Sequence, residues 1–85
     1  MDNRIKIVLT DINEDARFML QSVLERSGRF VVTGSTGDGN QALQLVQETK
    51  PDLLLLDLLL PGLDGLSILR RLDGENKPQV LAVSH

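Results

Sequence analysis

At 85 residues the chain has room for one domain, below the roughly 100–150 residues common for domains, and its stability should be marginal without a partner's help. A hydrophobic content of 41% with two Phe, no Tyr and no Trp calls for an aliphatic core, and the absence of Cys excludes disulfides, thiolate metal sites and cysteine nucleophiles, as suits a reduced cytoplasm. A net charge of −3 with both signs interspersed favours neither nucleic acid nor an anionic bilayer, and no run approaches 18 apolar residues, so neither export nor membrane spanning is expected.

Residues 5–10 (IKIVLT) are apolar and β-branched and run into Asp11, the pattern of a buried parallel strand. Asn13 offers a helix N-cap, with Glu14 and Asp15 where the helix dipole favours negative charge. Ala16, Leu20, Val23 and Leu24 then form one apolar stripe that stops near Gly28. Residues 30–35 (FVVTGS) read as a second strand, and the Gly37, Asp38, Gly39, Asn40 turn opens a second helix. Its apolar face is Ala42, Leu43, Leu45 and Val46, and Pro51 closes it at Lys50.

Residues 53–57 (LLLLD) are a continuous apolar run suited to a central strand covered on both faces. A loop at 59–65, marked by Pro61, Gly62 and Gly65, a short helix at 67–72 and a strand at 78–84 complete the order βαβαβαβ. Strands alternating with helices predict right-handed crossovers and a parallel sheet with helices on both faces.

In open α/β sheets ligands bind beyond the carboxyl ends of the strands, and the flavodoxin-like doubly wound order 2-1-3-4 sets the first and third strands side by side. Asp11 and Asp57 end those two strands, so carboxylates distant in sequence converge at one crevice. Such a pair suits Mg²⁺, which takes one or two carboxylates, keeps several waters and bridges to phosphate oxygens. A carboxylate beside it can attack a phosphoryl group and form an acyl phosphate.

The segment Lys6 to Asp11, the Asp38, Gly39 turn before Ala42 and Leu43, and above all the stretch from Pro51 through Asp57 to Pro61, Leu63, Asp64 and Gly65 resemble the bacterial response-regulator receiver domain of two-component signalling. Within that family the segments from Ile5 and Lys6 to Asn13 and from Asp57 to Gly65 look most similar to the receiver of the sporulation master regulator. The resemblance implies a phosphoacceptor at Asp57, charged by a partner histidine kinase or phosphotransferase, with Asp11, Asp57 and the backbone carbonyl of Leu59 holding Mg²⁺. It also implies a switch hydroxyl at Ser84 that bonds the phosphoryl group, and a transcription output outside this chain, with His85 where a small residue is common.

Two departures bear on this. The family usually has adjacent acids after its first strand, whereas Ile12 follows Asp11; Arg17 then falls where the family often has Arg, and Mg²⁺ binding is expected to be weak. The family also continues into a fourth helix, a fifth strand ending in an essential Lys and a fifth helix, so residues 1–85 read as a C-terminally incomplete receiver. A bare edge at the fourth strand, with Val80, Leu81 and Val83 partly uncovered, would then favour self-association into a homo-oligomer.

Plainer readings stand beside these. Asp57 also fits a strand-terminating Asp before a turn, Asp11 with Glu14 fits a capping box, and a Ser ending a strand often only satisfies backbone groups. Gly37 to Gly39 lack the Lys and Ser/Thr of a nucleotide-binding loop. An aspartate-nucleophile phosphatase needs a general acid where Leu59 stands, so no turnover enzyme is expected. The rival function is a pseudo-receiver that is not phosphorylated and serves as a protein-docking surface.

Overall fold

A computed structural model of the chain describes residues 2–72, 74 and 77–84. Strands β1 (Ile5–Thr10), β2 (Phe30–Thr36), β3 (Leu53–Asp57) and β4 (Gln79–Val83) alternate with helices α1 (Glu14–Arg26), α2 (Gly39–Thr49) and α3 (Gly65–Arg71). The strands are all parallel, in the order β2-β1-β3-β4. This is the flavodoxin-like arrangement in which the chain crosses from β2 past β1 to β3, leaving β1 and β3 adjacent.

Each helix begins where a side chain supplies the missing acceptor for its first turn. Asn13 accepts from the Ala16 N–H at 3.0 Å, Asp38 from that of Gln41 at 2.9 Å, and Asp64 from that of Ser67 at 2.9 Å. The Asp64 cap starts α3 at Gly65, two residues before the expected 67, so the loop after β3 is shorter than the sequence suggests. Helix α2 ends at Thr49 because Lys50 turns into the left-handed region at φ 47, just before Pro51. β2 runs one residue beyond its expected end because Thr36 still pairs with Thr10.

The core lies on one face of the sheet, where Val8, Leu54 and Leu56 meet Ala42 and Val46 of α2, Ile68 of α3 and Leu60 of the intervening loop. Alternation along the strands turns Ile7 and Leu9 to the other face, toward α1. Helix α1 packs mainly on β2 and β1, and it buries none of its residues. The stripe expected to be buried is only partly covered: Ala16 and Val23 are exposed, while Leu20 and Leu24 are half-buried. Helical spacing sets the direction of an apolar face; how much sheet lies beneath it depends on where the helix docks.

Candidate functional site

The carboxyl ends of β1 and β3 deliver Asp11 and Asp57 to one crevice of about 420 Å³, lined by Asp11, Ile12, Asn13, Ala16, Asp57 and Leu59. β1 and β3 pair from Ile7 and Leu53 to Leu9 and Leu55, whereas β3 stays paired to β4 through Asp57 and Val83. The crevice lies at the strand ends where the sheet order reverses. A larger cavity of about 580 Å³ opens at the other end of the sheet, among Lys50, Asp52 and Lys77, and lacks a pair of converging carboxylates.

Asp57 is 1% exposed yet lines this crevice. Its backbone N–H donates to the Thr10 hydroxyl at 2.8 Å, and its Oδ1 accepts from the Leu59 N–H at 2.9 Å. The loop that carries Leu59 is held from two sides. The Gly65 N–H donates to the Leu58 carbonyl at 3.2 Å, and the Gly39 N–H to the Pro61 carbonyl at 2.9 Å. Both glycines are required by close approach: a Cβ at Gly65 would stand 2.6 Å from the Leu58 Cα, and one at Gly39 would stand 1.7 Å from the Leu63 oxygen. The Gly that stands eight residues after Asp57 in the family resemblance thus closes the loop back onto the residue beside Asp57.

Asp11 sits on a loop anchored by its own neighbours. Its N–H donates to the Thr36 carbonyl at 3.2 Å, its Oδ1 accepts from the Asn13 N–H at 2.9 Å, and the Arg17 guanidinium donates to its carbonyl oxygen. Asn13, not Asp11, caps α1. Ile12 lines the crevice at 65% exposure, an apolar side chain at the mouth of an acidic site. Ser84 follows β4 directly after Val83, the partner of Asp57, and is exposed; His85 lies outside the described residues.

The donor set bears on Mg²⁺ directly. Among the described residues no group of three or more Asp, Glu, His or Cys is gathered, so a dedicated protein cage is not formed. Two carboxylates and a loop carbonyl do fit a hard cation that keeps most of its water and completes its shell with phosphate oxygens. Two further features of the site are structural discoveries. The Thr10 hydroxyl beneath Asp57 is signalled in the sequence only by a Thr at the end of an apolar strand, and for Arg17 the family resemblance marks the position but not its contact to the Asp11 carbonyl.

Comparison with known proteins agrees with this geometry. Residues 7–85 match the response regulator receiver domain. The chain is 42% identical over 81 residues to protein-glutamate methylesterase/protein-glutamine glutaminase 5 of Myxococcus xanthus, covering 94% of this chain and 23% of that protein. It is 45% identical over 67 residues to the alkaline phosphatase synthesis transcriptional regulatory protein PhoP of Bacillus subtilis, covering 79% of this chain and 27% of that protein. The chain therefore spans about a quarter of the length of these curated relatives.

Among solved structures, the signal receiver domain of NarL from Mycobacterium tuberculosis superposes with a TM-score of 0.86 at 31% identity, over 96% of this chain and 67% of that one. The response regulator domain of Thermotoga maritima CheB gives 0.86 at 26% identity, over 95% and 60%. With its strand order, its crevice and its sequence all agreeing, the chain belongs to the response regulator receiver domain family of two-component signalling.

Proposed function

We infer that this chain is a phosphoacceptor, with Asp57 taking a phosphoryl group from the phosphohistidine of a partner histidine kinase or phosphotransferase. The observation that carries this is the convergence of Asp11 and Asp57 on one crevice, with the loop after Asp57 clamped by backbone bonds at Gly39 and Gly65. In the transfer a carboxylate oxygen of Asp57 forms the new O–P bond and the P–N bond of the donor breaks, its electron pair staying on the imidazole nitrogen. The fixed Leu59 N–H, already bonded to Oδ1, orients the carboxylate for that attack.

Receiver domains generally bind Mg²⁺ at this acidic pocket, and here Asp11, Asp57 and the Leu59 carbonyl would hold it. Bound there, the ion offsets charge on the phosphoryl oxygens. With Ile12 in place of a second acid beside Asp11, we expect weak binding. Ser84, one residue beyond the β4 partner of Asp57, serves as the switch hydroxyl that senses the new dianion. Outputs of two kinds are named among the relatives, a transcriptional regulatory protein and a methylesterase. The sporulation-type resemblance favours transcription, with the receiver acting as a signalling part in the cytoplasm. No helix among the described residues is long and apolar enough to cross a membrane.

One observation favours a second reading. The exposed apolar Ile12 at the crevice mouth is what a docking surface without phosphorylation would present. Acetyl phosphate with Mg²⁺, followed by intact-mass measurement, separates the two: the acceptor reading expects a labile phosphoryl adduct that Asp57→Asn abolishes. An unlabelled parent chain would leave the docking reading. Ile12→Asp is expected to tighten Mg²⁺ binding in a direct titration, and unchanged affinity would show that residue 12 does not face the ion.

A further inference from the structure

We propose that Thr10 is a positioning residue for phosphoryl transfer: its buried hydroxyl holds the backbone of Asp57 and so sets the direction of the acceptor carboxylate. The inference rests on the acceptor reading of Asp57 and adds a residue to it.

The case begins with the backbone. The register pairs between β1 and β3 stop at Leu9 and Leu55, so the Asp57 N–H lies past the last pair, where the two strands leave room for the crevice. At such a place a side chain can take over from the ladder in holding a buried N–H. The Thr10 Oγ1 does this: it accepts from the Asp57 N–H at 2.8 Å and donates to the carbonyl of Leu55, the last paired residue, at 2.8 Å. Thr10 is 1% exposed and its hydroxyl proton is committed to the Leu55 carbonyl, so solvent does not compete for this bridge.

The geometry around the acceptor then has three fixed points. Thr10 fixes the Asp57 N–H, the Leu59 N–H fixes Oδ1, and β4 fixes the far side of β3 through Val83. The reacting oxygen is one short side chain away from that backbone, and transfer rates fall steeply when a nucleophile is misaimed by a fraction of its contact distance. A hydroxyl is needed here, since the isosteric Val fills the same space with no donor or acceptor.

The test uses the 85-residue chain with acetyl phosphate and Mg²⁺, following adduct formation by intact mass alongside a thermal melt of each variant. Thr10→Val is expected to melt cooperatively and to slow labelling roughly ten- to hundredfold. Thr10→Ser, which restores the hydroxyl, is expected to return labelling to within a few-fold of the parent. Equal labelling of the parent and Thr10→Val overturns the positioning role, as does a Thr10→Ser chain as slow as Thr10→Val. A Thr10→Val chain that no longer folds assigns the hydroxyl to the fold and likewise overturns it. A parent that takes no label removes the acceptor reading of Asp57 and this role with it, an outcome distinct from the others.

Discussion

Two rows of side chains cross the sheet on opposite faces, and they differ in what covers them. On the α2 and α3 face, Val8 and Leu54 are fully buried and their β4 partner Val80 packs against the same core. On the α1 face the corresponding row begins with Leu9 at 1% exposure, passes through a half-buried Leu55 and ends at Leu81, 55% exposed. Helix α1 sits over β2 and β1, so its shelter fades toward the β4 edge. Stability is therefore concentrated on one face, while Asp11 and Asp57, in step with Leu9 and Leu55 along their strands, open the crevice on the α1 side, where Ala16 lines it.

The largest expected effect breaks or keeps this contrast. Leu54→Ala should cost about 2–5 kcal/mol, since it empties space between α2, α3 and the sheet, while Leu81→Ala should stay within about 0.5 kcal/mol. Chemical denaturation of both variants checks this, and equal losses would show that the β4 edge is packed as firmly as the centre.

Self-association comes next in size. β4 is an edge strand with Leu81 standing out from it, so we expect concentration-dependent light scattering that Leu81→Lys reduces. A monodisperse monomer at every concentration would show that the open face is tolerated as it is.

The smallest effect concerns Asp64, the N-cap of α3. Bonding from the Ser67 backbone N–H holds its carboxyl below the ordinary value of 3.8, the Ser67 hydroxyl adding to this. The folded value lies below the unfolded one, so its stabilising contribution is present above the ordinary carboxylate range and fades as pH falls through the lower folded value. Melting temperatures taken from neutral pH down through the acid range should drop less steeply in Asp64→Asn. A parallel fall in both chains would remove the cap from the account. The group is exposed, so the difference should be slight.

Much of this was legible in the residues themselves. Apolar runs at β1 and β3, Asn13 as a cap, the turn around Asp38 as a helix opening, and Pro51 as a stop each act locally, and the parallel order follows from their alternation. The meeting of Asp11 and Asp57 was legible too, because strand order alone brings their ends together. What stayed hidden depends on docking distance. The exposure of Ala16 and Val23 follows from where α1 lands on the sheet, and the need for Gly at residues 39 and 65 from how closely the loop around Leu63 and Leu58 is pressed. Thr10 was hidden for a similar reason: a Thr at a strand end has many partners to choose from, and only the spacing of β1 and β3 selects the Asp57 N–H.

The most direct test of the acceptor assignment is to locate the phosphoryl group. Borohydride reduces an acyl phosphate to an alcohol, leaving homoserine at the modified aspartate, which peptide mass spectrometry reads residue by residue. After treatment with acetyl phosphate and Mg²⁺, the account predicts homoserine at residue 57 and nowhere else. Homoserine at residue 11 or 52 with Asp57 unmodified would contradict it.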